Sequence, residues 1–197
     1  MPAHDDEPVI TDLLKAFALA TERGAPRDMA ALMCADEAEA FLDNVYDPDS
    51  DDAAAVDEVE KDVLRVRTYG DVALASFIRP YFARPNTIVF RRENGRWTVC
   101  AEAEQELSLE QLEDDIWPAP PSSASDAQRR VHALRREPIG HFSVEDLRIL
   151  LSQNPVSLFQ LRRAIDKVCE LGDLNALDAP HDLIGDRIST FLADHPG

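Results

Sequence analysis

The side chains that could do chemistry in this chain are its histidines, its cysteines and a set of carboxylates and tyrosines. The five histidines show no metal-ligand spacing, and none lies beside a candidate nucleophile in the sequence. They are His4, His132, His141, His181 and His195. The seven glycines form no GxGxxG, GxxxxGK or GxSxG pattern, so neither a nucleotide-binding loop nor a serine nucleophile is predicted. No motif in the sequence therefore indicates catalysis.

The cysteines give no signal for a metal or a disulfide. Cys34, Cys100 and Cys169 lie 66 and 69 residues apart, an odd number of thiols with no paired spacing. We therefore expect core thiols, no metal site and no cofactor.

The secondary structure that would position any site is predicted to change from helices to strands along the first half of the chain. Apolar residues recur at helical spacing from about Glu7 to Gly24, and two shorter helical segments follow up to Val45. From Val59 the chain is rich in β-branched and aromatic residues, with short turn signals between four segments. The predicted strands are Glu58 to Thr68, Asp71 to Arg79, Thr87 to Arg92 and Arg96 to Glu104. This order predicts an α+β fold in which N-terminal helices pack on a curved antiparallel sheet.

Two stretches of this half resemble the cone-shaped fold of the nuclear transport factor 2-like superfamily. They are YGDVAL at 69–74 and TIVFRRENGRWTV at 87–99, and the resemblance covers roughly residues 7 to 105. Proton-transfer enzymes of that superfamily pair a carboxylate of raised pKa with a tyrosine donor in the mouth of the cone. The resemblance implies Asp57, Tyr69 and Tyr81 as the candidates for such a site.

A proline- and serine-rich stretch separates this half from a helical one. Residues 117–125, WPAPPSSAS, have the composition of a linker. The predicted helices beyond it are Ser125 to Arg136, Ser143 to Gln153, Ser157 to Leu171 and about Pro180 to Ala193. We therefore expect a cone-like domain at 1–116, a linker at 117–125 and a small all-α domain at 126–197.

The most specific stretch is PIGHFSVEDLRILLSQ at 138–153. Ser143 with Asp146 predicts a capping box at a helix start. This order resembles a family of contact-dependent growth inhibition immunity proteins, which bind and neutralise a secreted toxin domain. A weaker likeness extends to APHDLI at 179–184. The motif resembles a structural signature, carried by Pro138, Ile139, Phe142, Glu145, Asp146, Leu147, Arg148 and Gln153, and the spacing of Glu145 and Arg148 predicts an ion pair along the helix.

The net charge of −18 is concentrated in the first half of the chain. Residues 1–117 hold 27 acidic and 11 basic side chains, and 36–60 hold eleven carboxylates without a Lys or Arg. The charge distribution predicts no nucleic-acid partner, because neutralising phosphates requires clustered cations. The acidic run fits either a solvated face or a docking surface for a basic partner. On the second reading, the toxin-binding candidates are Asp47, Asp49, Asp51 and Asp52.

These observations favour an immunity protein that binds a cognate, basic toxin domain in the cytoplasm without catalysis. The alternative is a cone-fold protein that binds or isomerises a small apolar ligand, and a structural adaptor is a third reading. No stretch approaches the roughly 18 apolar residues of a membrane helix, and the N-terminus lacks the basic and apolar regions of a signal peptide. We therefore expect neither a membrane nor a nucleic-acid partner, and homodimerisation is left open.

Overall fold

The computed structural model describes residues 6–45, 62–78, 85–152 and 158–171. The chain divides into two compact units, Met1–Glu104 and Gln105–Gly197. This division falls ahead of the predicted linker at 117–125, and the predicted domain bounds stay a prediction. None of the described helices combines the length and the apolar character that a membrane span requires.

The first unit consists of three helices followed by an antiparallel sheet. The helices are α1 (Glu7–Arg23), α2 (Pro26–Ala30) and α3 (Ala35–Asn44). The strands are β1 (Asp62–Tyr69), β2 (Val72–Ile78), β3 (Asn86–Glu93) and β4 (Arg96–Val99), in the order β1-β2-β3-β4. With the helices of the second unit, this confirms the predicted α+β class. The finer likeness to a nuclear transport factor 2-like cone stays a prediction.

The core of the first unit lies between α1 and one face of the sheet. Ile10 and Leu14 of α1 are fully buried against Phe77 and Phe90 of the sheet. Gly24 ends α1 in the left-handed conformation (φ 63°), where glycine carries no Cβ penalty. Four residues of β2 from Val72 onward are buried in succession, so this inner strand is covered on both faces.

The last strand is shorter than the sequence predicts. We expected a strand from Arg96 to Glu104, but β4 ends at Val99 and a 3-10 helix occupies Ala101–Glu106. The prediction was wrong here because AEAEQE consists mainly of Ala and Glu, which are depleted in strands. We also did not predict that the segment between α2 and α3 pairs with the end of β4, where Met33 forms a parallel bridge with Val99.

The second unit, in its described part, is built from helices. They are α4 (Leu109–Glu113), α5 (Asp126–Leu134), a 3-10 helix at Ile139–His141, α6 (Val144–Leu151) and α7 (Leu158–Leu171). Its fully buried side chains include Leu109, Leu134, Leu147 and Leu150. An isolated bridge between Ser108 and Pro138 connects the start of α4 to the segment that precedes α6. The predicted last helix, Pro180 to Ala193, lies outside the described residues.

Candidate functional site

The segment that leads into α6 is anchored on the start of the second unit. The backbone N–H of Ile139 donates to the carbonyl of Leu107 at 2.9 Å, next to the bridge of Pro138. Ile139 and Phe142 are both buried, with 2% of their surface exposed. A Cβ on Gly140 would lie 2.8 Å from the backbone oxygen of Gln105, so only glycine fits this close approach. The first part of the motif therefore fixes the path of the chain.

Ser143 and Asp146 close the N-terminus of α6 with a complete capping box. The N–H of Asp146 donates to Ser143 Oγ at 3.2 Å, and the N–H of Ser143 donates to Asp146 Oδ2 at 3.0 Å. Arg130 of α5 forms an ion pair with the other oxygen of Asp146 and also contacts Glu137 at 3.2 Å. Burial opposes the charged form of Asp146, but the hydrogen bonds from Ser143 and Arg130 outweigh it and lower the pKa of this carboxyl. The cap thus joins α5 to α6.

The remaining motif residues divide between the interior and the surface. Leu147 is fully buried, whereas Arg148 Nη1 donates to Glu145 Oε2 at 3.1 Å on the outside of α6, the pairing that the spacing predicts. Gln153 lies outside the described residues. Helix α7 is tied to the same segment, because Arg163, 3% exposed, donates through Nε to the carbonyl of Ile139 at 3.3 Å.

A buried arginine organises the region between α4 and α5. Arg135 is 3% exposed, and its guanidinium lies 2.7 Å from Glu113 Oε2 and 3.6 Å from Asp115 Oδ2. Its charged group also stacks over the ring of Trp117, with 4.1 Å between Cζ and the ring centroid. A buried cation requires such partners because leaving it unpaired would cost several kcal/mol.

The same contacts present an apolar pair to solvent. The indole N–H of Trp117 donates to Asp115 Oδ2 at 2.9 Å, and Arg136 Nη2 donates to the carbonyl of Trp117 at 3.2 Å. The side chain of Trp117 is nevertheless 38% exposed, and that of Ile116 is 79% exposed. We call Ile116 and Trp117 the apolar pair. Sequence reasoning missed this pair because Trp117 opens a stretch with the composition of a linker. The sequence signal that could have revealed it is the basic pair Arg135-Arg136, which can form ion pairs with the acidic segment just before Ile116.

The four carboxylates proposed to bind a toxin, Asp47, Asp49, Asp51 and Asp52, lie outside the described residues. Of the three residues suggested by the cone fold, Asp57 and Tyr81 also lie outside them. Tyr69 ends β1, and its hydroxyl accepts a hydrogen bond from Arg67 Nη1 at 3.4 Å. The proton-transfer arrangement therefore stays a prediction.

A cleft of about 560 Å³ opens beside α1 in the first unit. Asp6 and Arg92 form an ion pair on its wall, and the Arg92 guanidinium lies 4.6 Å from the Trp97 ring. Val9 and Leu13 supply an apolar side. If the protein binds a small apolar ligand, as the alternative function requires, this cleft is the candidate binding site.

Two of the three cysteines are buried free thiols, as expected. They are Cys34 and Cys100, 2% and 0% exposed, and burial raises the pKa of both. The sequence gives no metal spacing, yet their sulfur atoms lie beside the Glu37 carboxylate, and the three are the group of described residues that could hold a metal ion.

The protein thus has two units and an α+β fold. Ion pairs and helix caps hold the helices of its second unit in place. A family model described as CDI immunity proteins matches residues 111–170, less than a third of the chain. This match contains the motif at 138–153 and supports the resemblance stated above; it ends before 184, so the extension to that point stays a prediction. A comparison with curated proteins and one with solved structures found no match.

The cap leads to a prediction on stability. Asp146→Asn removes the charge that Arg130 and Ser143 stabilise, and we expect the free energy of unfolding at neutral pH to fall by about 1 kcal/mol. Because the pKa of Asp146 is lowered in the folded state, this contribution is present above the ordinary carboxyl value of 3.8 and is lost as the pH falls through the folded pKa. Urea unfolding between neutral and acid pH measures it.

Glu145→Gln is the matched control, since Glu145 is the neighbouring carboxylate but is exposed on α6. We expect it to change stability by less than about 0.5 kcal/mol at any pH. Equal losses in the two variants, or a loss in Asp146→Asn that is the same at acid pH, would contradict the proposed role of the cap.

Proposed function

We propose that this chain is an immunity protein that binds a cognate CDI toxin domain in the cytoplasm and neutralises it without catalysis. The observation that carries the proposal is the match of residues 111–170 to CDI immunity proteins. Neutralisation by binding requires a rigid surface rather than reactive groups. A surface that is already ordered before binding loses less conformational entropy when the complex forms. The ion pairs of Arg130, Arg135 and Arg163 supply such rigidity within the matched segment.

The apolar pair is the part of the matched segment best suited to anchor a partner. Tryptophan is enriched among the residues that dominate binding energy, and such anchors act best when they are fixed before binding. Trp117 is fixed by stacking on Arg135 and by its hydrogen bond to Asp115. Asp115, whose side chain is 63% exposed, lies beside it and favours a partner with cations around an apolar pocket.

The acidic first half would guide such a partner to the complex. Helix α3 buries none of its residues and carries exposed Asp36, Glu39 and Asp43. Next along the chain comes the run that contains Asp47, Asp49, Asp51 and Asp52. Complementary charge raises association rates, at low salt to about 10⁸ M⁻¹s⁻¹ or more. We propose these four carboxylates as the steering group for a basic toxin domain.

Co-expression tests the function directly. This chain is produced in bacteria beside the toxic C-terminal domain of a polymorphic toxin encoded next to it, and survival is scored together with co-purification. We expect survival with a stable complex. Death without a complex, across every neighbouring toxin domain, would overturn the proposal and direct attention to ligands of the cleft beside α1.

Removing the apolar pair should weaken the complex. We expect Trp117→Ala to cost about 2 kcal/mol of binding free energy, or roughly 30-fold in Kd, and Ile116→Ser to weaken binding in the same direction. Titration calorimetry on the purified partners measures both. The control is Ile165→Ser on α7, which replaces another exposed apolar side chain of the same unit (46% exposed). The apolar pair is not an anchor if Ile116→Ser and Ile165→Ser bind the toxin equally well.

Neutralising the steering group should change the rate of association more than the lifetime of the complex. The variant with Asn at 47, 49, 51 and 52 should associate at least tenfold more slowly at low salt and show a flatter dependence on salt concentration. Stopped-flow mixing at several salt concentrations measures it. A control with Asp12→Asn, Glu22→Gln, Asp28→Asn and Asp71→Asn removes the same charge from exposed positions elsewhere in the first unit. Identical rates in the two variants would show that only total charge matters.

A further inference from the structure

The backbone of the first unit brings two cysteines together from distant parts of the chain. Met33 and Val99 form a parallel bridge, in which Cys34 N donates to the carbonyl of Val99 at 2.8 Å. Cys34 and Cys100 each follow directly after the bridged residue of their own segment. In a parallel pair, residues one step beyond the bridge are again neighbours with side chains on the same face. The two thiols therefore lie side by side in the interior.

A carboxylate completes the group from the first turn of α3. Glu37 lies three residues after Cys34, which precedes α3 as its N-cap residue. Its Oε1 accepts a hydrogen bond from the N–H of Glu102 at 2.6 Å, which fixes the carboxylate beside the segment that follows Cys100. Ligand atoms of the three side chains all lie within 4.8 Å of one another. Glu37 is only partly buried, whereas both thiols are buried, so the group is reached from the Glu37 side.

We propose that Cys34, Cys100 and Glu37 bind a thiophilic divalent cation of the Zn²⁺ type. Zn–S bonds of about 2.3 Å place two sulfur ligands of a tetrahedral ion roughly 3.8 Å apart, inside the spacing of this group. Two sulfurs and one carboxylate oxygen leave a fourth position for water, as in three-ligand zinc sites. Magnesium and calcium are poor candidates because they prefer oxygen ligands.

Binding balances in charge and protons. Each thiol gives up its proton to solvent, so a dication M²⁺ and two thiols yield a bis-thiolate complex and two H⁺. With the Glu37 carboxylate the bound site carries one net negative charge. The hydrogen bond from Glu102 to Glu37 acts as an outer-shell contact, which orients a ligand before the metal arrives. Because the site joins the start of α3 to the end of β4, a bound ion would also cross-link the first unit.

Cobalt and zinc titrations of the full-length, chemically reduced protein test the proposal. Co²⁺ serves as the spectroscopic probe, since sulfur coordination gives a sulfur-to-metal charge-transfer band, and Zn²⁺ affinity is measured by competition with a chromophoric chelator. We expect one ion per chain, displacement of Co²⁺ by Zn²⁺, and a higher Tm with Zn²⁺ than with chelator. No sulfur-to-cobalt band in the reduced wild type would overturn the site and leave a pair of inert core thiols.

The variants separate this site from other metal binding. Cys34→Ser with Cys100→Ser should abolish the band, while Cys169→Ser, which removes the third cysteine, should leave it unchanged. Glu37→Gln keeps an oxygen that can accept from Glu102 but loses the charge, so it preserves the fold if the double variant does not. We expect it to weaken Zn²⁺ binding at least tenfold, because losing the charge of a direct ligand should cost no less than losing an outer-shell partner, which costs roughly 10- to 100-fold. Unchanged binding in Glu37→Gln, or loss of binding in Cys169→Ser alone, would contradict the assignment.

Discussion

The second unit depends on the need to pair the buried charge of Arg135. Arg135 is almost fully enclosed, and an isolated guanidinium in that position would destabilise the fold by several kcal/mol. Glu113 and Asp115 supply the negative charges and Trp117 the aromatic face. The backbone takes part as well, since the carbonyl of Arg135 accepts from the N–H of Glu110 at 3.0 Å. Pairing the charge of Arg135 therefore fixes the position of the segment that presents Ile116 and Trp117 to solvent.

The first unit depends on a different constraint, the closure of a sheet edge. An exposed edge strand leaves unpaired N–H and C=O groups that can recruit other chains. The segment between α2 and α3 covers β4, with Val99 N donating to the carbonyl of Leu32 at 2.8 Å. This closure sets Cys34 opposite Cys100 and brings the start of α3, with Glu37, to the same place. The proposed metal site would thus lie at the place where backbone hydrogen bonds pair the edge of β4.

Local sequence patterns predicted most helices and strands. The features that the sequence did not predict depend mainly on contacts between residues far apart in the chain. The cap of α6 was readable because Ser143 and Asp146 are three residues apart, and α1 was readable from its apolar spacing and Gly24. The pairing of Cys34 with Cys100 was not, because their separation in sequence carries no information about a bridge between Met33 and Val99. Proline and serine after Trp117 suggested a linker, since composition does not reveal that a buried arginine holds the tryptophan. The end of β4 was misplaced because the Ala- and Glu-rich residues after Val99, which are depleted in strands, were counted as part of the strand.

The buried residues of the motif at 138–153 and the residues that would meet a toxin are different sets. Ile139, Phe142 and Leu147 are buried, and Asp146 is engaged in the cap, so the motif specifies how the second unit folds. A partner can only contact what is exposed, such as Ile116, Trp117 and the acidic side chains. Two chains could therefore share the buried motif and recognise different toxins, because exposed positions can change at little cost to stability. The resemblance supports the class of function, and the exposed surface would decide which toxin is bound.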